Sequence, residues 1–356
     1  MAQTLIAEFQ GLSYFHNASV HCLGRFVDLM KSHEDEDILV TVLEYLIDSG
    51  TININHFFTS TQPKTTWLLG VIHHQKCRLV DVLLARGANV HLGSGISPII
   101  KAVRMAAACV RKDNMNQIIR KLVQKDPTVL QTRIGGKNLI YLSWSTSPDL
   151  RQIEFLLDLG FPINMTNTLE SVRGHTIGGQ LYDRFHIRDF PMLFFAIANE
   201  NMELVNLLIR RGANPNVAAF VQDSERITDP MLVTPLYLGM EYILEDEENN
   251  PTMMKTLLRA GANVDAKDEC GRTCLYHAVR SRLSFAIIDL LLQFGANVNA
   301  HCNMQYGGRS PMDVANRQQT VHILDIVRER RLRIFNQMDE IGIPREIQEK
   351  YLMPSL

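Results

Sequence analysis

The chain has 356 residues, of which 46% are hydrophobic, so it is long enough and apolar enough to build a packed core. Its formal net charge of −2 offers no electrostatic attraction to nucleic acid or to an anionic membrane surface. Its apolar runs stay well short of the roughly 18 residues that a membrane-spanning helix needs. Its six scattered cysteines do not suggest disulfides. We therefore expect a soluble, cytoplasmic protein that binds neither nucleic acid nor membrane.

Residues 1–33 are predicted to form amphipathic helices without the repeated phrase described below. Apolar residues recur there at helical spacing, at Leu5, Ile6, Phe9, Leu12, Leu23, Phe26, Val27, Leu29 and Met30. We interpret this segment as an N-terminal helical cap. An acidic run, Glu34 to Asp37, then precedes a predicted helix from Ile38 to Ile47, where negative charge favours the helix dipole.

A phrase of two helices then recurs along most of the chain. The first helix begins after a Thr, Ser, Asn or Pro at Thr66, Ser97, Asn138, Pro191, Thr234, Thr273 and Ser310. The second helix ends at a glycine, in Gly-Ala-Asn phrases that begin at Gly87, Gly212, Gly261 and Gly295 and in weaker copies at Gly50 and Gly160. The spacing is regular: 21 positions separate Thr66 from Gly87 and Pro191 from Gly212.

The chemistry of this phrase explains its parts. Thr or Ser caps a helix N-terminus, Pro suits the next position, and Gly takes the left-handed conformation that ends a helix. With its Thr-Cys-Leu-Tyr-His-Ala start at Thr273, the phrase resembles the ankyrin repeat, whose unit of about 33 residues carries a Thr-Pro-Leu-His-x-Ala signature. The resemblance implies an all-α ankyrin-repeat solenoid of stacked helix-turn-helix units with β-hairpin loops. We place about seven repeats in residues 34–333.

Some repeats depart from the family pattern. After Ser97 the first helix is predicted to be extended, and the second to begin only at Ile118. The acidic stretch from Glu241 to Glu248 is interpreted as a lengthened turn between helices. Tyrosine replaces the signature histidine in three copies, at Tyr141, Tyr237 and Tyr276. In the family that imidazole helps to tie neighbouring hairpins together, so a phenol is the expected substitute here.

Two insertions, near residues 165–189 and 217–232, interrupt the array. The gap from Asn164 to Pro191 is 27 positions and that from Asn216 to Thr234 is 18, against about eight in the family. Long loops are often functional, and the first insertion mixes aromatic and basic residues. We predict that it binds a partner protein through Arg173, His175, Tyr182, Arg184, Phe185, His186 and Arg188. The second insertion, around Gln222 to Arg226, is a weaker candidate.

No catalytic or metal-binding arrangement is predicted. His73 and Cys77 have a spacing that could ligate zinc on one helix, but the repeat places a turn between them. Cys270 and Cys274 are assigned to a hairpin and to a capping phrase. No Gly-x-Ser-x-Gly or His-Glu-x-x-His motif occurs. We expect a protein that is not an enzyme and that needs no cofactor.

Residues 334–356 form a predicted helical tail. The basic helix before it, with Arg328, Arg330, Arg331 and Arg333, suits either a C-terminal cap or a nuclear localisation patch. The phrase around Pro344, Ile347, Tyr351 and Leu352 resembles the end of a SOCS box or the start of an F-box. A SOCS box would recruit elongins B and C and a cullin ubiquitin ligase. We therefore predict a scaffold that binds a partner on the concave repeat surface and the insertions; the alternative is a substrate receptor of a cullin-type ligase.

Overall fold

A computed structural model describes most of the chain. The described residues are 2–12, 18–32, 35–57, 65–93, 95–108, 112–167, 185–223, 231–245, 251–318 and 329. The chain divides into two compact units, Met1–Glu170 and Ser171–Leu356. We call them unit 1 and unit 2, and the boundary between them falls within the first insertion.

Within its described residues, unit 1 consists of helices. They are α1 (Ala2–Leu12), α2 (Ala18–Ser32), α3 (Glu36–Asp48), α4 (Trp67–His73), α5 (Cys77–Ala85), α6 (Pro98–Ala108), α7 (Lys112–Lys125), α8 (Leu139–Thr146) and α9 (Leu150–Asp158), with a 3-10 turn at Pro127–Gln131.

Unit 2 combines helices with a small sheet. The helices are α10 (Met192–Ala198), α11 (Met202–Arg210), α12 (Pro235–Glu245), α13 (Thr252–Arg259), α14 (Cys274–Arg280), α15 (Phe285–Gln293) and α16 (Pro311–Gln318), with a 3-10 turn at Met304–Tyr306. The strands are β1 (Phe185–Arg188), β2 (Ala219–Asp223) and β3 (Met231–Val233). Both units therefore contain the helix pairs that the sequence predicts.

The capping residues act as predicted at the helix starts. The hydroxyl of Thr66 accepts a hydrogen bond from the Leu69 N–H at 3.3 Å, and that of Thr273 accepts one from the Tyr276 N–H at 3.3 Å. Asn138 does the same for α8 through its side-chain oxygen. These bonds satisfy N–H groups that the first turn of a helix leaves unpaired.

The closing glycines also behave as predicted. Gly87 and Gly212 have φ of +88° and +87°, a left-handed conformation that other residues rarely adopt. After the first of these turns the Ala88 N–H returns to the Leu83 carbonyl at 2.8 Å. A Cβ atom at either glycine would meet nothing within 4 Å, so backbone conformation, and not space, requires glycine there.

The apolar faces of the helices form the core of each unit. In unit 1 the N-terminal helices contribute Phe9 and Phe26, both fully buried, with ring centroids 6.4 Å apart. The Phe26 ring also lies 5.6 Å from the Trp67 ring of α4. Helices α1 and α2 therefore share one core with α4, the first helix of the first full repeat of the predicted array.

Two predicted element boundaries were wrong. Helix α7 begins at Lys112 and not at Ile118. The polar residues there are compatible with a helix start because Asp113 lies in the first turn and Lys112 forms an ion pair with Asp149. The stretch that begins at Glu241 is not wholly a turn, because α12 continues to Glu245.

The three-stranded sheet was not predicted. Its order is β1-β2-β3, with both neighbouring pairs antiparallel. Strand β1 lies in the first insertion, β2 lies in the second, and β3 is at the end of the second, so the sheet joins the two insertions. Strand alternation in Phe185-His186-Ile187-Arg188 was the available signal.

Candidate partner-binding surfaces

Asparagine and aspartate side chains link neighbouring hairpins and so hold the tips of the repeats in place. The side chain of Asn216 accepts a hydrogen bond from the Asn263 N–H at 2.7 Å and donates one to the Gly261 carbonyl at 3.0 Å. In unit 1, Asn55 makes the same pair of bonds with the next repeat, to the Asn89 N–H and the Gly87 carbonyl. The second polar residue of the Gly-Ala-Asn-x-Asn phrase therefore connects repeats.

His277 supplies an imidazole one position after the replaced signature histidine. Its Nε2 lies 2.9 Å from a carboxylate oxygen of Asp268, whose other oxygen accepts from the Arg272 N–H at 2.8 Å. Burial by itself raises the pKa of Asp268, but the hydrogen bonds from His277 and Arg272 outweigh it and lower that pKa. A carboxylate–imidazole pair between positions nine apart in the chain therefore stabilises this hairpin from within. The expected substitution by a phenol between neighbouring hairpins remains a prediction.

The three-stranded sheet of unit 2 has one buried and one exposed face. Ala219 and Val233, which are paired across β2 and β3, are 1% and 4% exposed. Their neighbours Phe220 and Leu232 are also directly paired, but they are 42% and 39% exposed. A solvent-facing sheet surface is usually polar. This apolar pair therefore marks the outer face as a candidate contact surface, which we call the sheet patch.

The strand register places two of the predicted partner-binding positions on the same face as the sheet patch. Arg188 pairs with Phe220 and His186 with Gln222, and because paired residues share a face, both positions belong to the face of the sheet patch. Phe185 pairs with Asp223 and occupies the opposite face. Phe220 and Leu232 themselves were missed by the sequence prediction.

Other predicted site residues lie outside the described residues. They are Arg173, His175, Tyr182 and Arg184 of the first insertion and Pro344, Ile347, Tyr351 and Leu352 of the tail. The basic residues Arg328, Arg330, Arg331 and Arg333 also lie there.

A second exposed apolar group occurs at the last hairpin of unit 2. Met304 is 86% exposed and Tyr306 is 45% exposed, both in the 3-10 turn. The guanidinium carbon of Arg272, from the preceding hairpin, lies 5.5 Å from the Tyr306 ring centroid and 5.7 Å from that of Tyr276. We call this turn, with Arg272, the last-hairpin patch.

Charged pairs occupy part of the surface of unit 1. Arg86 pairs with Asp48 and Lys121 with Asp81, in each case joining the second helices of successive repeats. The hydrogen bond from Arg86 lowers the pKa of Asp48. A similar side-chain bond, from Gln152 to Asn116 at 3.0 Å, joins α9 to α7.

The cysteines and histidines considered for zinc are not arranged as a site. His73 ends α4 and Cys77 begins α5, so the predicted turn between them is confirmed. Burial, followed by the nearby charges of Lys101 and Lys31, lowers the pKa of His73. In the part of the chain that the structure describes, no group of three His, Cys, Asp or Glu residues could hold a metal ion. Within the same residues, no helix has the length and hydrophobicity to span a bilayer.

Comparison with known families identifies repeats in unit 2. A family model described as "Ankyrin repeats (3 copies)" matches residues 242–330, and one described as "Ankyrin repeat" matches residues 191–219.

Two curated relatives are each named "Putative ankyrin repeat protein", from Rickettsia bellii (strain RML369-C). One is 31% identical over 110 residues, which is 31% of this chain and 28% of the relative. The other is 28% identical over 130 residues, which is 34% of this chain and 54% of the relative. The chain thus spans between about a quarter and a half of these relatives' lengths.

Solved structures similar to this chain include two ankyrin repeat domains. That of Bcl-3, described as a unique member of the IkappaB protein family, is 20% identical with a TM-score of 0.47 and covers 74% of this chain and 98% of its own. That of human ASB11 is 17% identical with a TM-score of 0.37 and covers 70% of this chain and 91% of its own.

Proposed function

We propose that this chain, which is an ankyrin-repeat protein, binds a partner protein through the sheet patch of unit 2. Ankyrin repeats are protein–protein interaction modules and are generally not enzymatic. The family alone does not name a partner, because one architecture serves many. The choice of surface must therefore come from the side chains that this chain presents.

We choose the sheet patch on the basis of one observation. Phe220 and Leu232 are large, apolar and exposed, while their strand neighbours Ala219 and Val233 are buried. The buried neighbours fix the two strands, so the exposed pair is presented on an ordered backbone. Because little ordering entropy remains to be lost on binding, such a surface favours affinity.

The composition of the patch suits a binding surface. Interface cores are enriched in aromatic residues and arginine, and the register places Arg188 opposite Phe220. Binding energy is usually concentrated in a few such anchors. We propose Phe220, Leu232 and Arg188 as the anchors, with His186 beside them.

Affinity capture from cell lysate, with quantitative mass spectrometry, tests this proposal. The full chain is compared with a Phe220→Ser/Leu232→Ser variant, and circular dichroism checks that the variant is folded. Removal of two anchors is expected to reduce capture of the bound partner by about tenfold or more. An Arg188→Gln variant gives a second measurement that does not alter the apolar pair.

Phe294→Ser is the matched control, because Phe294 is also an exposed aromatic residue of unit 2, at 37%. It lies at the end of α15, outside the sheet. Capture that falls equally in the control and in the double variant, or in neither, would contradict the proposal.

The insertion residues predicted from sequence are tested in the same way. Replacement of Tyr182, Arg184, Phe185 and His186 together is expected to reduce capture, and unchanged capture would remove them from the site.

The ligase alternative rests on tail residues outside the described part. A chain that ends at Asn336 tests it, because elongins or a cullin should then disappear from the captured set.

A further inference from the structure

Basic residues are concentrated in one part of unit 1. Residues 49–112 contain eight lysines and arginines but one acidic residue, Asp81, which gives this stretch a formal net charge of +7. The whole chain has a net charge of −2, so its other residues together carry −9. Charge asymmetry of this size indicates local attraction to an anionic ligand. The prediction of sites from the sequence missed this cluster.

Some of these cations are neutralised by carboxylates and are not available to a ligand. Arg78 pairs with Asp37, and Arg86 pairs with Asp48. Lys112 is paired in the same way. A site for an anion must therefore be sought among the cations that lie on the first helices of the repeats.

Lys101 and Arg104 lie on the first helix α6. Within the described residues, no carboxylate pairs with either side chain. They are three positions apart in a helix, so they share one face. Helix α6 packs against both α4 and α8, and none of these three helices contains Asp or Glu. The two cations therefore lie on a surface that the first helices leave without negative charge.

Two histidines at the end of α4 extend this surface. Counted from the capping residue of each repeat, His73 occupies in α4 the position that Arg104 occupies in α6. His73 is exposed and His74 is half-buried, with their ring centroids 5.0 Å apart. We call His73, His74, Lys101 and Arg104 the basic face.

The charges that act on the two histidines come from three neighbouring elements and are positive. Burial lowers the pKa of His73, and the charges of Lys101 on α6 and Lys31 on α2 lower it further. Burial also lowers the pKa of His74, together with His73, Lys31 and Lys76 of the turn after α4. The imidazoles are therefore held in a cationic environment that an anion would relieve.

The described carboxylates on the elements around α4 are occupied by other groups. On α2, Asp28 lies 3.4 Å from Lys31 and offsets that cation, which for this reason is not part of the basic face. On α3, Glu36 accepts a hydrogen bond from the Arg78 N–H at 2.9 Å. On α5, Asp81 pairs with a lysine of α7. These carboxylates do not neutralise Lys101 and Arg104.

Gly70 leaves open space on the same surface. It lies within α4 at the position that Lys101 occupies in α6, where glycine is less favourable for a helix than alanine. Its φ is not positive, and a Cβ atom there would meet nothing within 4 Å. Neither conformation nor packing requires this glycine, so its effect is to keep the surface beside Lys101 clear.

We propose that the basic face binds a short acidic segment of a partner protein. Lys101 and Arg104 pair with carboxylates of that segment, and His73 and His74 add charge when they are protonated. The inference goes beyond the proposed function, because it assigns a ligand of stated chemistry to unit 1, whereas the sheet patch belongs to unit 2.

The distribution of charge favours a short acidic peptide over other anions. The basic face extends over two packed helices, whose axes typically lie about 8–10 Å apart. This spread suits several carboxylates in a row better than one phosphate group. Nucleic acid or an anionic membrane would also meet the charge of −9 on the other residues. A short segment responds to local charge, because the Debye length is about 8 Å at physiological ionic strength.

Fluorescence anisotropy of a labelled oligoglutamate peptide, titrated with the full chain at low salt, tests the proposal. Lys101→Gln/Arg104→Gln is expected to weaken binding severalfold. Lys125→Gln/Arg133→Gln removes the same charge from two exposed positions outside the basic face and should have a much smaller effect. Circular dichroism checks that both variants are folded. Equal losses in the two variants, or no binding by the full chain, would overturn the inference.

A pH series tests the two histidines. Affinity should rise as the pH falls from about 7 to about 5.5, because histidines gain charge in this range while glutamates remain ionised. His73→Asn/His74→Asn should abolish the rise and leave the affinity at neutral pH nearly unchanged. The same rise in this variant would overturn the assignment of the histidines to the site.

Gly70→Leu separates direct contact from a general electrostatic effect. The variant keeps every charge but fills the open surface beside Lys101, so it should weaken peptide binding severalfold. Unchanged affinity would show that the peptide does not bind at this surface and would overturn the inference.

Competition identifies the class of anion. Inorganic phosphate, oligothymidylate and phosphatidylserine vesicles should each displace the peptide poorly, and displacement by any of them as effective as by unlabelled oligoglutamate would overturn the choice of an acidic peptide. Phe220→Ser/Leu232→Ser should bind the peptide as the wild type does. Failure of peptide binding therefore leaves the sheet patch untouched, and failure of the sheet patch leaves the basic face untouched.

Discussion

Unit 1 and unit 2 use the same helix pairs, caps and closing glycines but present different surfaces. In unit 1, lysine or arginine pairs with a carboxylate at six places within the described residues. In unit 2 lie all five of the large apolar side chains that are exposed in the described part of the chain, Phe220, Leu232, Phe294, Met304 and Tyr306. Repeat chemistry therefore builds both units, while individual side chains in the insertions, in the last hairpin and at the end of α15 make parts of the surface of unit 2 apolar.

The largest expected loss of stability comes from a substitution in the core of unit 1. It shows how much the stability of that unit depends on its N-terminal helices. Phe26→Ala should reduce the free energy of unfolding by about 3–5 kcal/mol, because a fully buried ring between Phe9 and Trp67 would be lost. Urea unfolding followed by circular dichroism gives the value. Phe294→Ala in unit 2 is the matched control and should cost far less, since its ring is 37% exposed. A Phe26→Ala loss no greater than that of the control would show that residues 1–33 are not part of the core.

A smaller loss of stability is expected when the asparagine link between hairpins, which both units contain, is removed. Asn216→Ala in unit 2 and Asn55→Ala in unit 1 each remove two hydrogen bonds to the next hairpin. At about 0.5–1.5 kcal/mol for each bond, both variants should lose roughly 1–3 kcal/mol. Chemical unfolding of the two variants side by side measures the losses, with Asn316→Ala as the exposed control.

Destabilisation of only one of these asparagine variants would show that the two units do not rely on the same link between hairpins.

The smallest effect concerns acid sensitivity in unit 1. Hydrogen bonds from the Thr128 hydroxyl, from His91 and from the Thr128 N–H lower the pKa of Asp126 to about 2. A lowered carboxyl pKa adds stability above the unfolded value of about 4, and this contribution is lost as the pH falls towards 2. Asp126→Asn should therefore be less stable than the wild type at neutral pH, and the difference should shrink on acidification.

Thermal unfolding between about pH 7 and pH 2.5 follows this difference. Thr128→Val provides a check, because it removes one of the bonds and should reproduce part of the effect. A difference between Asp126→Asn and wild type that grows as the pH falls would contradict the assigned cause.

Local chemistry explains what the sequence could predict. Caps such as Thr66 and closing glycines such as Gly87 act within a few residues of their own position, so their spacing alone locates the helix pairs. The start of α7 was mistaken because the polar residues near Lys112 looked like a turn, although the ion pair with Asp149 that supports them comes from a distant part of the chain.

The features that could not be predicted from the sequence depend on contacts between residues far apart in the chain. The link from Asn216 to Asn263 spans two repeats, and the pairing of Arg188 with Phe220 joins two insertions. The first is marked only by the second asparagine of the Gly-Ala-Asn-x-Asn phrase, which does not reveal its partner, and the second leaves no mark at short range beyond strand alternation. The exposed turn at Met304 did leave one, in the lengthened hairpin and the Gly307-Gly308 pair, but its exposure is a property of the folded surface.

The sheet that joins the two insertions makes them a single structural module. Strand β2 hydrogen-bonds to β1 on one side and to β3 on the other, so deletion of the second insertion would leave β1 with an open edge of the kind that promotes aggregation. Loop grafting between related proteins, or shortening to make a minimal domain, should therefore move or remove residues 185–233 as one block, with helices α10 and α11 carried between the strands.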